Sequence, residues 1–276
     1  MIVHLIDGTY ELFRHYYGLH RAYGDKQPRF GAAVGVLNTV LQMVGDGATH
    51  VGVATDHVIE SFRNELWDGY KTGEGIERTL WAQFHPLEDA LVAMGVAVWP
   101  MGDLEADDAL ASAAAIASRD ERVEKVCIWT PDKDLAQCVR GDRVVQVDRR
   151  KETVRNADGV RAKFGVDPEQ IPDYLALVGD SADGYPGMKG IGAKGAASLL
   201  ARYRFIETFP PEVLGERQSL ALLFKNLATL RTDAALFDDV DELKWRGPTD
   251  AFEATCERLE APDLLARARK AASTLA

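Results

Sequence analysis

Short apolar runs rich in β-branched residues alternate, in the first part of the chain, with longer stretches that carry apolar side chains at helical spacing. Five such runs occupy residues 2–6, 51–54, 96–99, 125–130 and 144–147. Runs of this length and composition predict strands that are buried on both faces, as in a parallel sheet. Their alternation with helices over roughly the first 160 residues predicts an α/β fold with a doubly wound, mostly parallel sheet.

The helical pattern is clear over residues 31–44. Residues 77–94 also have a helical pattern but contain Pro86, which must mark a break or a new helix start. The later part of the chain changes to helices and glycine-rich turns, with no further strand pattern. We therefore expect an α/β core over residues 1–164 and a helical subdomain over residues 165–276.

Composition and charge narrow the class of protein. The chain has 276 residues, 46% of them hydrophobic, which is enough for a full core. Its net charge of -11 argues against a general nucleic-acid-coating protein, unless many of the acids are collected at one cation site. Cys127, Cys138 and Cys256 lack zinc-ligand spacing and are typical of thiols in a reducing compartment. With no basic leader and no apolar segment of membrane length, we expect a cytoplasmic protein without a membrane partner.

Carboxylates recur at the ends of the predicted strands. Asp7 and Asp56 directly follow strands, and three acids stand at the start of an alanine-rich helix that begins near residue 105. One such residue is usually a helix cap or a turn residue. Doubly wound sheets bind ligands beyond the carboxyl ends of their strands, so the recurrence predicts that these acids converge. The candidate metal-ligating residues are Asp7, Asp56, Glu105, Asp107, Asp108, Asp132, Asp134, Asp180 and Asp183.

A convergent set of carboxylates needs cations, because neighbouring carboxylates otherwise repel or take up protons. An all-oxygen site without His or Cys suits Mg²⁺ or Mn²⁺. Carboxylates divided between two neighbouring ions suit in-line displacement at phosphorus, which predicts a phosphodiesterase. The alternative is a Ca²⁺-binding structural protein, but the sequence has no EF-hand-type loop spacing.

A glycine-rich turn over residues 185–194 leads into a predicted helix over residues 193–203. Glycines let a backbone approach a phosphate, and a helix N-terminus offers free N–H groups and partial positive charge. Lys189 and Lys194 add charge to this turn. The motif predicts a contact with a nucleic-acid backbone, although a tight turn between two helices would use the same glycines.

Cationic residues outside this turn could make two further kinds of contact with a nucleic acid. Arg63 or Lys71 could hold a phosphate above the acids and Tyr70 could stack on a base, unless these are ordinary surface residues. A basic stretch could contact a phosphate backbone without sequence preference, or could simply be a solvated face. Its cationic residues are Arg140, Arg143, Arg149, Arg150, Lys151, Arg155, Arg161 and Lys163.

The order of short motifs along nearly the whole chain resembles that of the bacterial 5'–3' exonuclease and flap endonuclease family. The motifs are I-D-G ending at residue 8, T-D and S-F-R…Y-K over residues 55–71, E-A-D-D over 105–108, P-D-K-D-L over 131–135, G-D-S-A-D-G-Y-P-G-M-K-G-I-G-A-K over 179–194 and W-R-G-P over 245–248. The chain looks like the 5'-nuclease domain that many bacteria fuse to DNA polymerase I, here as a free-standing protein.

The resemblance implies a PIN-like core with an arch at about residues 63–90, and a helix–three-turn–helix DNA-binding element at about residues 185–200 that often holds K⁺. It implies that one metal is held by Asp7, Asp56, Glu105 and Asp107, and another by Asp108, Asp132, Asp134, Asp180 and Asp183. It places Arg14, Arg63 and Lys71 near the scissile phosphate. The implied DNA-binding residues are Tyr70, Met188, Lys189, Gly190, Ile191, Gly192 and Lys194.

The activity implied by the resemblance is metal-dependent hydrolysis of DNA phosphodiesters at or near 5' ends, in replication and repair. Its products would carry 5'-phosphate and 3'-hydroxyl groups. The implied substrates are duplexes with 5' flaps, nicks, gaps or overhangs, and RNA-primed duplexes. We expect a monomer that acts at the bacterial nucleoid.

Three positions depart from the family pattern. Glu74 replaces the usual Arg three residues after Lys71, so we expect the arch to thread a 5' flap less well. Gly184 replaces an Asn, which would loosen ligand positioning, and Gly195 replaces a Thr, which would remove a side-chain contact. A weakly catalytic protein that binds DNA junctions is the alternative outside enzymes. The alternative within them is a PIN-type ribonuclease, a class that usually lacks the glycine-rich turn.

Overall fold

The computed structural model describes residues 1–275, and its central feature is one six-stranded sheet. The strands are β1 Ile2–Asp7, β2 His50–Asp56, β3 Ala97–Met101, β4 Lys125–Trp129, β5 Val144–Asp148 and β6 Thr153–Arg155. Their order across the sheet is β3-β2-β1-β4-β5-β6. The first five strands pair in parallel and β6 pairs with β5 in antiparallel fashion. The predicted α/β class with a mostly parallel sheet is confirmed.

Thirteen α-helices are present in the described part of the chain, and short 3₁₀ turns join several of them. Their bounds are α1 Gly8–Tyr23, α2 Gly31–Gly45, α3 Phe62–Leu66, α4 Arg78–Trp81, α5 Phe84–Ala93, α6 Ala106–Ala117, α7 Ala157–Phe164, α8 Ile171–Val178, α9 Ala193–Tyr203, α10 Pro211–Leu214, α11 Gln218–Ala228, α12 Phe252–Arg258 and α13 Asp263–Leu275. Among the helices described, none has both the length and the apolar character needed to cross a membrane.

Helices cover both faces of the sheet, because its central strands are apolar on both sides. Val3 and Leu5 point to the face that α6 covers, where Val126 and Ile128 of β4 join them. Ile6 packs on the opposite face, against α1, α2 and α5. This two-sided burial is the reason that the strands have continuous apolar sequences.

The strand order reverses at β1, which pairs with β2 on one side and β4 on the other. Because the chain winds away in opposite directions from this point, the helices that follow β1 and β4 leave a crevice at the carboxyl ends of the strands. The crevice opens where Asp7 ends β1, and it is the part of the fold that can receive a ligand.

The helical part has a core of its own, formed by α7 to α11. Phe224 of α11 packs there with Leu175 of α8 and Leu200 of α9. The chain then returns to the sheet: the backbone N–H of Trp245 donates to Thr49 at 2.8 Å, and α12 and α13 pack with α2 and α5. Because Leu230, Phe237 and Leu243 already pack on the α6 face of the sheet, the W-R-G-P motif lies within this return and does not begin it. The domain bounds given above stay a prediction.

The five sequence-predicted strands are all present, with ends that differ by one or two residues. The break predicted within residues 77–94 falls at Ala82 and Gln83, between α4 and α5. Pro86 lies in the first turn of α5, where its missing N–H leaves no helical hydrogen bond unmade. The short strand β6 was not predicted, because its three residues are largely exposed and carry no apolar run.

Candidate metal centre

Several of the predicted ligands lie together at the crevice, because the strands and helices that carry them end there. Asp7 ends β1 and caps α1, its Oδ1 accepting the Tyr10 backbone N–H at 2.8 Å. Asp56 ends β2, and its Oδ1 accepts the Ala106 N–H at 2.8 Å, which holds the start of α6 beside β2. The result is a cleft of about 430 Å³, here called the acidic cleft. The acids that line it are Asp7, Asp56, Glu105, Asp107, Asp132 and Asp183.

A second group of carboxylates, Asp134, Asp180 and Asp183, adjoins the acidic cleft. One oxygen of each lies within 4.8 Å of the others, and all three side chains are buried. Paired backbone hydrogen bonds between Asp180 and Tyr185, at 2.8 and 3.0 Å, fix the loop that carries Asp183. Since Asp183 also lines the acidic cleft, the two groups share this residue.

The electrostatics of the site favour bound cations. Burial raises the pKa of Asp7 to about 7. The pKa of Asp107 and that of Asp134 are held well above the usual range, by burial first and by the charge of Asp132 second. The Oδ1 of Asp134 is buried and has no hydrogen-bond partner among the described residues. An all-oxygen donor set with an unpartnered buried oxygen fits hard divalent cations.

Two lysines provide positive charge at the site. Lys71 Nζ lies 2.8 Å from Glu105 Oε2 and 3.0 Å from Asp183 Oδ1. Although burial lowers the pKa of Lys71, these two carboxylates raise it well above its usual value. Lys133 Nζ lies 2.7 Å from Asp180 Oδ2. Asp180 likewise raises the pKa of Lys133 against the effect of burial. Both ammonium groups are therefore charged at neutral pH.

Sequence reasoning missed three residues that support the acids. Lys133 was overlooked although it stands between two predicted ligands in P-D-K-D-L. The Thr130 hydroxyl donates to Asp7 Oδ2 at 3.0 Å, and the Ser61 hydroxyl donates to Glu105 Oε1 at 2.7 Å. The hydroxyl contacts join residues far apart in sequence and have no sequence signal of their own.

Neither Asp108 nor Arg63 lines the acidic cleft, in contrast to their predicted roles, although the Arg63 guanidinium donates to the cleft acid Glu105 at 3.2 Å. The Arg63 guanidinium donates to both oxygens of Asp108, at 2.7 and 2.8 Å, and to the Leu227 carbonyl at 2.8 Å. Asp108 also accepts the backbone N–H groups of Glu105 and Arg231, at 3.0 and 2.8 Å. Both side chains are buried, with Arg63 only 1% exposed. The saturated pair is a structural link between α3, α6 and the end of α11.

Tyr70 and Met188 are buried as well, so neither offers its side chain to DNA in this structure. Tyr70 is 4% exposed and its hydroxyl donates to Glu105 Oε2 at 3.4 Å, while Met188 is 3% exposed in the helical core. Arg14 is partly exposed, and its guanidinium contacts Glu11 Oε2 at 2.5 Å. It lines a pocket of about 480 Å³ together with Arg21, Arg149 and Arg150. Two residues of the predicted basic stretch, Arg149 and Arg150, thus share one surface with Arg14.

The glycine-rich turn joins α8 to α9, as predicted, and presents its tip to solvent. Gly190 has a φ of +87°, which favours glycine, and an added Cβ there would meet open space. The Arg217 guanidinium donates to the Lys189 carbonyl at 2.9 Å and adds charge beside the turn. The remaining members of the predicted DNA-binding set, exposed except for the half-buried Ile191, are Lys189, Gly190, Ile191, Gly192 and Lys194.

Gly184 brings two loops of the site into direct contact instead of loosening them. A Cβ at Gly184, whose φ is +86°, would lie 1.9 Å from the Gly69 carbonyl oxygen. The Trp67 indole N–H donates to the Gly184 carbonyl at 3.1 Å, and the Lys71 N–H donates to the Asp183 carbonyl at 3.1 Å. The loop that carries Lys71 is therefore held by main-chain contacts against the loop that carries Asp183.

Comparison with known proteins agrees with this architecture. Residues 2–165 match the model of the 5'-3' exonuclease N-terminal resolvase-like domain, and residues 166–251 match the 5'-3' exonuclease C-terminal SAM fold. The chain belongs to the 5'-3' exonuclease family. The resemblance read from the sequence is thereby confirmed.

Relatives in this family differ in length. DNA polymerase I of Pseudomonas aeruginosa is 32% identical over 97% of this chain, which spans only 32% of that protein. The 5'-3' exonuclease of Aquifex aeolicus is 28% identical over 95% of this chain and 93% of its own length. Family members therefore include both a stand-alone protein and a part of a polymerase.

Solved structures of nucleases share the fold. The T5 5'-exonuclease with bound divalent metal ions (zinc) has a TM-score of 0.68 at 18% identity, with 98% of each chain covered. Flap endonuclease-1 from Methanococcus jannaschii has a TM-score of 0.63 at 15% identity, covering all of this chain and 93% of its own. The predicted PIN-like core with an attached helical element is confirmed as a fold, whereas the assignment of individual ligands stays a prediction.

The raised pKa of Asp7 predicts a dependence of stability on pH. The folded state keeps this proton between about pH 4 and pH 7 while the unfolded chain loses it, so stability falls as pH rises through that window. In EDTA we expect a loss of about 2–4 kcal/mol in unfolding free energy from pH 4.5 to pH 8. Excess Mg²⁺ or Mn²⁺ should restore about 2–3 kcal/mol at pH 8 and less at pH 4.5.

Urea unfolding at both pH values, with and without metal, measures this effect. Asp134→Asn should reduce the pH dependence, because it removes one buried charge, whereas Asp46→Asn on the exposed surface should keep the wild-type profile. Stability that rises with pH in EDTA would contradict the expectation.

Replacing Gly184 by the Asn of the family pattern should destabilise this protein. Gly184→Asn forces the Gly69 carbonyl away and should cost about 2–4 kcal/mol of stability. Gly190→Asn, at another glycine with positive φ but with open space, is the matched control and should cost about 1 kcal/mol. Equal thermal unfolding midpoints for the two variants would show that the contact with Gly69 is unimportant.

Proposed function

We propose that this protein is a metal-dependent 5' nuclease that hydrolyses DNA phosphodiesters at or near 5' ends. The observation that carries the proposal is the acidic cleft joined, through Asp183, to the group of Asp134 and Asp180. The same loop continues into the glycine-rich turn with its exposed lysines. A duplex backbone held at that turn would lie a fixed distance from the cleft.

Two divalent cations, Mg²⁺ or Mn²⁺, are the cofactors that this donor set fits best. The acids of the cleft would hold one, and Asp134, Asp180 and Asp183 would hold the other, with Asp108 left to its pairing with Arg63. Bound there, the cations would supply a water of lowered pKa and stabilisation of the leaving oxygen for in-line displacement.

Lys71 is the residue of this chain that we expect to act on the scissile phosphate. Its side chain is 33% exposed, and its ammonium group lies at the cleft between Glu105 and Asp183. A cation in this position can neutralise charge that develops on the phosphate oxygens. Glu105 and Asp183 position it, and the main-chain contacts of Gly184 hold its loop.

DNA would be bound on both sides of the cleft. At the glycine-rich turn, exposed N–H groups and Lys189 and Lys194 suit a phosphate backbone, and K⁺ is the ion proposed to bridge them. On the other side, Arg14 and the arginines around its pocket suit phosphates of the same substrate. Flapped, nicked, gapped or overhanging duplexes are the proposed substrates, including RNA-primed ones, with a role in replication and repair.

Loss of a carboxylate from either group should abolish cleavage and spare DNA binding. Asp132→Asn and Asp180→Asn should each lower kcat by at least about 100-fold, because the cations serve the chemistry more than the docking. Cleavage of an end-labelled nicked duplex in Mn²⁺ and binding in Ca²⁺ measure the two properties. Asp46→Asn is the control, and undiminished turnover in Asp132→Asn or Asp180→Asn would refute the proposed site.

Residues 72–83, the part of the predicted arch called here the arch segment, affect the choice between a flapped and a nicked substrate. It packs on α1, with the Tyr17 hydroxyl donating to Glu77 Oε2 at 2.9 Å and the Tyr16 and Thr79 hydroxyls 2.5 Å apart. Glu74 is exposed on this segment. A segment that is held against α1 and exposes the carboxylate of Glu74 is poorly suited to binding a negatively charged single-stranded 5' end.

We therefore expect cleavage of a nicked duplex to be at least as fast as cleavage of a free 5' flap. Glu74→Arg should raise the flap rate by about 3- to 10-fold relative to the nick rate, because a phosphate contact replaces repulsion. Glu121→Arg, at another exposed acid, should leave the ratio unchanged. A strong flap preference in the unaltered protein would reject the threading hypothesis.

A further inference from the structure

A further cluster of side chains that could bind a metal lies apart from both groups of carboxylates. His57 directly follows β2, and His85 and Glu88 lie three residues apart on one face of α5. One ligand atom from each of the three lies within 4.8 Å of the others. None of the three lines the acidic cleft.

The buried member of this cluster is held in place by a neighbouring hydroxyl. Glu88 is 6% exposed, and its Oε1 accepts a hydrogen bond from the Thr55 hydroxyl at 2.8 Å. Its Oε2 lies 2.7 Å from His57 Nδ1. A carboxylate oriented by a second residue, with its other oxygen aimed at an imidazole, has the arrangement common around metal ligands.

The two imidazoles lie together at the surface. Their ring centroids are 4.2 Å apart with planes inclined by 7°, and the His57 side chain is 44% exposed. Pairing with Glu88 accounts for His57. It does not account for His85, whose ring makes no hydrogen bond within residues 1–275.

We propose that His57, His85 and Glu88 bind one borderline transition-metal ion of the Zn²⁺, Co²⁺ or Ni²⁺ class. Two imidazole nitrogens and one carboxylate oxygen suit these ions, whereas Mg²⁺ and Mn²⁺ prefer the all-oxygen cleft. Three protein ligands leave a coordination position for water. The two exposed rings can turn about their side-chain bonds to bring their nitrogens within about 2.1 Å of the ion, with Glu88 fixed.

An ion at this site would join the end of β2 to the beginning of α5. Asp56 of the acidic cleft immediately precedes His57, and the arch segment immediately precedes α5. The site would thus fix the start of α5 against the end of the strand that carries Asp56. It does not depend on the proposed nuclease activity, since none of its ligands lines the acidic cleft.

A titration with Co²⁺ tests the site, using the full chain in excess Mg²⁺ so that the all-oxygen cleft is occupied. Nitrogen-ligated Co²⁺ of low coordination number gives intense visible absorption bands, whereas six-coordinate oxygen-ligated Co²⁺ gives weak ones. We expect one equivalent of Co²⁺ to produce the intense bands and Zn²⁺ to displace them. We also expect Zn²⁺ to raise the thermal unfolding midpoint in the same buffer.

Two substitutions test the histidine ligands, and a third serves as a control. His57→Gln and His85→Gln should each weaken Co²⁺ binding by more than about tenfold, and because both residues are exposed the variants should fold. His20→Gln, at an exposed histidine stacked on Tyr16, is the matched control and should bind as the unaltered protein does. Absence of the intense bands from the unaltered protein, or their persistence at equal affinity in both cluster variants, would overturn the proposal.

Discussion

Mutual repulsion among buried carboxylates is the constraint on which the functional end of this fold depends. The reversal of strand order at β1 creates a crevice, and acids from β1, β2, α6 and the loop after β4 all end in it. Burial first, and then the charges of Asp56 and Asp132, raise the pKa of Asp7 to about 7, so the arrangement opposes folding unless positive charge is supplied. Lys71 and Lys133 supply part of it, each within 3 Å of a carboxylate oxygen. Divalent cations would supply the positive charge that is still missing, so cation binding would stabilise the folded protein.

Neighbouring acids of one motif take different roles because a helix turns by about 100° per residue. Asp107 faces the acidic cleft, whereas Asp108, one position later, faces Arg63 in the interior. Arg63 also donates to the carbonyls of Leu227 and Thr229, so the pair fixes α6 against the end of α11. A buried ion pair of this kind is weak evidence for added stability, but the loss of either partner would leave an unpaired charge in the interior. The pairing of Asp108 with Arg63 thus helps to hold α6 in the orientation that turns Asp107 toward the cleft.

The sequence predicted the parts of the structure that depend on local patterns, and missed those that depend on contacts between distant residues. Apolar runs located five strands, and the position of acids at strand ends located the acidic cleft, because parallel strands bring their carboxyl ends to one edge. The three-residue strand β6 has no such run. The aromatic ring of Tyr70 predicts stacking on a base, and the family resemblance implies a DNA contact for Met188. Both are buried in the core of α7 to α11, which no local pattern describes. The pairing of Arg63 with Asp108 spans 45 positions and has no sequence signal.

The effect of a residue that departs from the family pattern depends on the residues that pack against it. An Asn at position 184 would place a Cβ 1.9 Å from the Gly69 carbonyl oxygen, so the chain as it stands requires Gly at 184 for as long as the loop of Gly69 lies where it does. The Trp67 indole donates to the carbonyl that this close approach exposes. Main-chain contacts between the two loops thus take over a positioning role that a side chain would otherwise have. Because the Lys71 N–H donates to the Asp183 carbonyl at 3.1 Å, the main chains of these two residues are held together, and the departure at Gly184 is compatible with an intact site.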